Sequence, residues 1–149
     1  MQIDPRVLSR ISYCHLTMLV TEPDESGLNH PSPDSNYIRD LSLRKKASAI
    51  VQGLPAYIST WGLHRLAGDA KNFLAKTSEN TQYKGKVYRQ FLLCLREATG
   101  GTPEFDPQNE GTLIHLDLSG YTALNRLSMR LAQEWSFWAT SVLGEADNG

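Results

Sequence analysis

From Leu124 to Val142, bulky apolar residues return at intervals of three and four: Leu124, Leu127, Leu131, Trp135, Trp138 and Val142. That spacing puts all six on one face of an α-helix, whereas a strand would scatter them over both faces. A stripe holding two tryptophans must be covered, so the remaining chain has to supply packing partners. The partners carry the same period. Asp4-Pro5 opens a helix to about Thr21, since Asp caps well and Pro suits a first turn. Its apolar residues are Val7, Leu8, Ile11, Leu16, Met18 and Leu19. A second helix is expected from about Asn36, capped by Asp34 or Ser35. It carries Ile38, Leu41, Ala49, Ile50, Leu54, Ile58 and Trp61, and Pro55 breaks or kinks it near Gly53-Leu54. Gly62 stands where a C-cap belongs.

A third helix is expected from about Leu63 to Lys76 over Leu66, Ala70, Phe73 and Leu74. The fourth runs from about Tyr83 to Ala98. Val87, Tyr88, Phe91, Leu92 and Leu95 fall on one side of it, and Lys86, Arg89 and Arg96 on the other. The last helix begins near Ser119. Before it, 112–116 reads as an extra turn or a strand, and only 113–118 shows strand alternation. At 149 residues the chain is one domain's length and can bury a core. The expected fold is all-α: a single-domain bundle of about five helices over residues 1–149. Two long Pro- and Gly-rich loops, 22–35 and 99–111, interrupt it, and 144–149 form a tail.

Chemistry-bearing motifs are sparse. His15, His30, His64 and His115 lack HExxH, HxH and HxxxH spacing, so no metal site is predicted. Each histidine reads as solvated or satisfied locally. Cys14 and Cys94 read as buried, inert thiols. Adjacent helical residues point about 100° apart, so Cys14 and His15 cannot pair as nucleophile and base. Thr99-Gly-Gly-Thr102 lacks the GK[ST] ending of a phosphate loop and reads as a helix stop. Neither enzymatic activity nor a cofactor is expected. No segment suits a membrane span or a signal peptide, and two cysteines make no disulfide framework, so a cytoplasmic protein is expected.

Charge is the informative feature. The net charge is −1, yet residues 38–96 hold eleven basic and three acidic residues, a local +8. Such a segment suits a polyanion, or else solvated helix faces balanced by the acidic flanks in three dimensions.

Two blocks carry a family resemblance. The first, RKKASAIVQGLPAYISTWGL (residues 44–63), is a basic helix leading into Leu54-Pro55, then an aliphatic-aromatic stretch and Gly62-Leu63. The second is Tyr121, Leu124, Arg126, Leu131, Ala132 and Trp135. Together they resemble the small helical subunit of Cmr-type (type III-B) CRISPR effector complexes over about two-thirds of the chain. The family's basic pair after the tryptophan is replaced here by Phe137-Trp138. The resemblance implies a non-catalytic subunit of an antiviral-defence complex. It would stack along RAMP-fold backbone subunits beside neighbouring copies of itself, contacting guide RNA and target RNA. Base pairing would supply specificity, and the protein would supply phosphate contacts.

The residues assigned to RNA are Arg39, Arg44, Lys45 and Lys46 before the Leu-Pro block, Lys86, Arg89 and Arg96 on the fourth helix, and Arg126 and Arg130 on the last. Lys84 and Lys86 flank Gly85 and can equally decorate a helix start. Leu93 and Phe137 sit among polar neighbours on their wheels and are read as protein-interface residues, with packing of Phe137 on the N-terminal helix as the alternative. Tyr57 and Trp61 lie four apart on an apolar face and are read as core, although aromatics of this kind can also stack on bases. The competing function is a helical protein–protein adaptor with no nucleic-acid role.

Overall fold

A computed structural model describes residues 4–22 and 35–146. His30, the proposed Asp34 cap and most of the 22–35 loop lie outside the described residues. Among the described residues seven helices follow one another: α1 (Pro5–Met18), α2 (Leu41–Gln52), α3 (Leu54–Trp61), α4 (Leu63–Leu74), α5 (Glu79–Thr99), α6 (Gly111–Ile114) and α7 (Leu118–Leu143). No strand occurs among the described residues. The five long helices of the sequence reading become seven among the described residues because the Pro55 break separates α2 from α3, and the extra turn expected before the last helix is the short α6, the strand alternative not being taken.

Local chemistry sets most boundaries. Asp4 caps α1 by accepting from the Arg6 backbone N–H at 2.9 Å. Ser78 caps α5 and Asp117 caps α7 in the same way. Gly100 closes α5 in the left-handed conformation. Gly62, at φ 86°, ends α3 and turns the chain directly into α4. Two starts differ from expectation. The cap of α2 is Asp40, which accepts from the Ser42 N–H at 2.8 Å, so Asn36 to Arg39 are extended. In that segment the Ile38 N–H donates to Leu19 O at 2.8 Å. Helix α5 starts four residues before Tyr83, because polar residues 79–82 give no apolar period to read.

Helices α5 and α7 form the centre. The tandem α2–α3 runs antiparallel along α7. Lys45 lies beside Gly144 at one end, and Tyr121 Oη accepts from the Leu63 N–H at 3.1 Å at the other. Helix α1 lies parallel to α7, tied by Ser9 Oγ donating to Glu134 at 2.8 Å and by the edge of Tyr13 against Trp138. Helices α4 and α5 form an antiparallel hairpin closed at Gly85. A Cβ there would stand 2.6 Å from Leu74 Cγ and 2.9 Å from Ala70 O. Trp135 is fully buried at the centre. It meets Phe91 edge-on at 5.2 Å and donates its indole N–H to Cys94 Sγ at 3.4 Å.

The expected stripes of α5 and α7 face this core, although Leu127, Trp138 and Val142 of α7 are half-buried rather than enclosed. The face of α2 does not match. Leu43, Ala47, Ser48 and Val51 are buried, and Leu41 is exposed. Ile38 is buried too, but from the extended segment, so its position says nothing of the phase of α2.

Candidate nucleic-acid interface

The basic residues read from the sequence fall into three environments. Arg39, Lys45 and Lys46 are exposed on or just before the first turns of α2. Arg126 and Arg130 are exposed one turn apart on α7. Arg44 and Lys86, although on different helices, reach the same extended segment. Arg44 Nε donates to Ile38 O at 2.8 Å, and its guanidinium lies 5.7 Å over the Tyr37 ring. Lys86 Nζ donates to Tyr37 O at 2.8 Å. These two cations are half-buried ties between α2, α5 and the segment before α2. Backbone carbonyls already occupy donors that a phosphate would need.

Arg89 is half-buried, with Nε enclosed and without a hydrogen-bond partner. Arg96 is exposed but faces a groove shared with Glu97, Glu104 and Asp106. Those carboxylates oppose a phosphate there. The α5 set therefore does not form one basic face.

No single patch gathers all nine residues. Arg126 lies 18 residues before Gly144, about 27 Å along α7, and Gly144 is where Lys45 sits. None of the nine forms an ion pair with a carboxylate among the described residues. The pairs present are Arg6–Asp4, His15–Glu97 and Lys71–Glu110. Among the described residues, then, the acidic flanks do not cancel these cations by direct contact.

Phe137 is 72% exposed, its ring against Trp138 at 4.8 Å. It edges a shallow groove between α1 and α7, lined also by Leu8, Ser9, Arg130 and Glu134. Packing against α1 does not cover it. Leu93, in contrast, is half-buried and offers less surface than its wheel position promised.

Other readings need correction. Cys14 is exposed, because it lies on the outer side of α1; only Cys94 is buried, and burial pushes its thiol up to about 12. His15 is not satisfied locally. It is only 6% exposed, and its Nδ1 accepts from Gln90 Nε2 at 2.7 Å, while Gln90 Oε1 accepts from Asn36 at 2.9 Å. This relay joins α1, α5 and the segment before α2, and leaves Nε2 facing Glu97 at 3.6 Å. Burial holds the imidazole below its usual pKa, against the opposing pull of Glu97.

Of the two aromatics read as core, Tyr57 packs against the core from its edge, and Trp61 does not. Trp61, the last residue of α3, is 50% exposed, since the turn at Gly62 carries Leu63 inward instead. The Arg65 guanidinium lies 4.8 Å over its ring. Tyr57 is half-buried and donates to Asp69. The sequence signal for Arg65 was its four-residue spacing from Trp61, obscured by the intervening glycine. No protein-family model matches the chain, and no curated protein or solved structure matches it significantly.

Proposed function

We propose that the protein is a non-catalytic helical subunit of an RNA-guided type III CRISPR effector complex that holds RNA by its phosphates. The observation that carries the reading is the exposed set Arg39, Lys45 and Lys46 around the cap Asp40 at the start of α2, with Arg126 and Arg130 as a second set on α7, none of them in an ion pair among the described residues. Sequence-blind phosphate contact needs cations on a rigid framework and no catalytic pocket. The two blocks that resemble the Cmr small subunit, 44–63 and 121–135, pack against each other as α2–α3 on α7, which supports treating them as one unit. Arg44 and Lys86 leave the contact set and become positioning residues for the segment before α2. No described helix is long and apolar enough to cross a membrane.

The adaptor reading keeps one specific support. Phe137, Leu118 and Ile114 are large apolar residues left open on the surface. A pull-down of the tagged protein from its native host separates the two, with mass spectrometry and RNA sequencing of the eluate. RAMP-fold subunits and repeat-derived short RNAs are expected. Protein partners without RNA would replace the RNA reading with the adaptor.

A further inference from the structure

Trp61 lies one helical turn after Tyr57, which starts a row of neighbouring rings across α3, α5 and α4 whose middle member, Tyr88, is buried. Arg65 covers one side of Trp61. Tyr57, one turn before Trp61, lies 5.5 Å from Tyr88, and Tyr88 lies 6.0 Å from Phe73. Lys84 Nζ lies 5.5 Å from the Phe73 centroid. Arg65 to Phe73 is eight residues, about 12 Å along α4, so one short strand can reach both cations. Neither Arg65 nor Lys84 has a carboxylate partner among the described residues. The nearby Asp69 is engaged by the Tyr57 hydroxyl. Burial, with the Asp69 charge behind it, keeps Tyr57 protonated well above the usual tyrosine range, so the phenol stays a donor to that carboxylate.

Flat apolar rings beside unpaired cations match one chemistry especially well: bases stack on the ring, and the phosphates of the same strand meet the cations. A protein partner would need carboxylates of its own placed beside an apolar side chain, whereas a single strand brings base and phosphate together in every repeating unit.

We propose that Trp61, covered by Arg65, is a stacking site for an unpaired nucleobase of a single strand whose backbone is drawn toward Arg65 and Lys84. The proposal rests on the RNA reading and adds a base contact to its phosphate contacts. It is sequence-tolerant, because every base offers a flat face.

The test is fluorescence-anisotropy titration of the full chain with labelled oligouridine RNA and with an abasic strand of equal length, at low salt. Wild type should bind the base-bearing strand about tenfold more tightly than the abasic strand. Trp61→Ala should abolish that difference, Trp61→Phe should keep most of it, and Lys45→Glu/Lys46→Glu should weaken both strands together. Thermal melts establish that each variant is folded. Equal wild-type affinity for the two strands would overturn the stacking site while leaving phosphate binding intact. So would a preference that survives Trp61→Ala. Binding of neither strand would overturn both readings and favour a protein on this face.

Discussion

The two cysteines sit on neighbouring helices yet have opposite chemistry. Cys14 is exposed and Cys94 is enclosed beneath the Trp135 indole. A native thiol titration should therefore release one equivalent rapidly and the second only after denaturant is added, with Cys14→Ser removing the fast phase. His15 makes a second residue-scale prediction. Its folded pKa lies below the unfolded value of about 6.5. The unfolded chain then binds the proton first, and stability falls as pH drops from about 6.5 toward the lower folded pKa. Protonation would also put a hydrogen on Nδ1 facing the Gln90 amide donors, so the relay to Asn36 must rearrange. Thermal midpoints measured from pH 7 to 5 should fall for wild type and be flatter for His15→Gln. Neither residue's environment is legible in its helical position alone. Cys14 and His15 are neighbours on one turn, and only the placement of α5 decides which of them is covered.

At the scale of elements, the α4–α5 hairpin depends on one missing side chain. Gly85 lets α5 approach the Ala70 carbonyl and Leu74 directly. Gly85→Ala removes backbone freedom from the unfolded chain but forces the helices apart. The second effect should win, with a net destabilisation of about 1–3 kcal/mol in urea unfolding. Gly68, where a Cβ meets nothing within 4 Å, is the control: Gly68→Ala should be neutral or stabilising. Helix existence was readable from period for α1, α4, α5 and α7, and for α2 and α3 as one helix kinked or broken at Pro55. The Pro55 break and the Gly62 turn were readable too, since both rest on backbone chemistry that travels with the residue. The α2 face was misread because Asp40, not Asp34 or Ser35, sets its start.

Across the whole molecule, the basic residues occupy at least two separate surfaces rather than one. If both meet RNA, each cation removed should lower the salt dependence of single-strand binding by about 0.7 in log–log slope. The triple change Arg39→Glu, Lys45→Glu and Lys46→Glu should act independently of Arg126→Glu/Arg130→Glu, because about 27 Å of α7 separates the two ends. An RNA too short to span them should lose affinity to one set only. Arg44→Ala belongs to a different class. It should lower the melting temperature first, since it removes the bonds to Ile38 and Tyr37.

By itself the sequence determined the helical class, the central apolar stripes of α5 and α7, and the chain's main stops. Those follow from period, capping and glycine or proline geometry, which act within a few residues. The tertiary structure alone decided which basic residues stay free and which are consumed as ties. It also decided which cysteine is covered, and that Trp61 opens to solvent while Trp135 closes the core. Burial and pairing depend on residues dozens of positions away, and a helical wheel records only which side a residue faces, not what faces it.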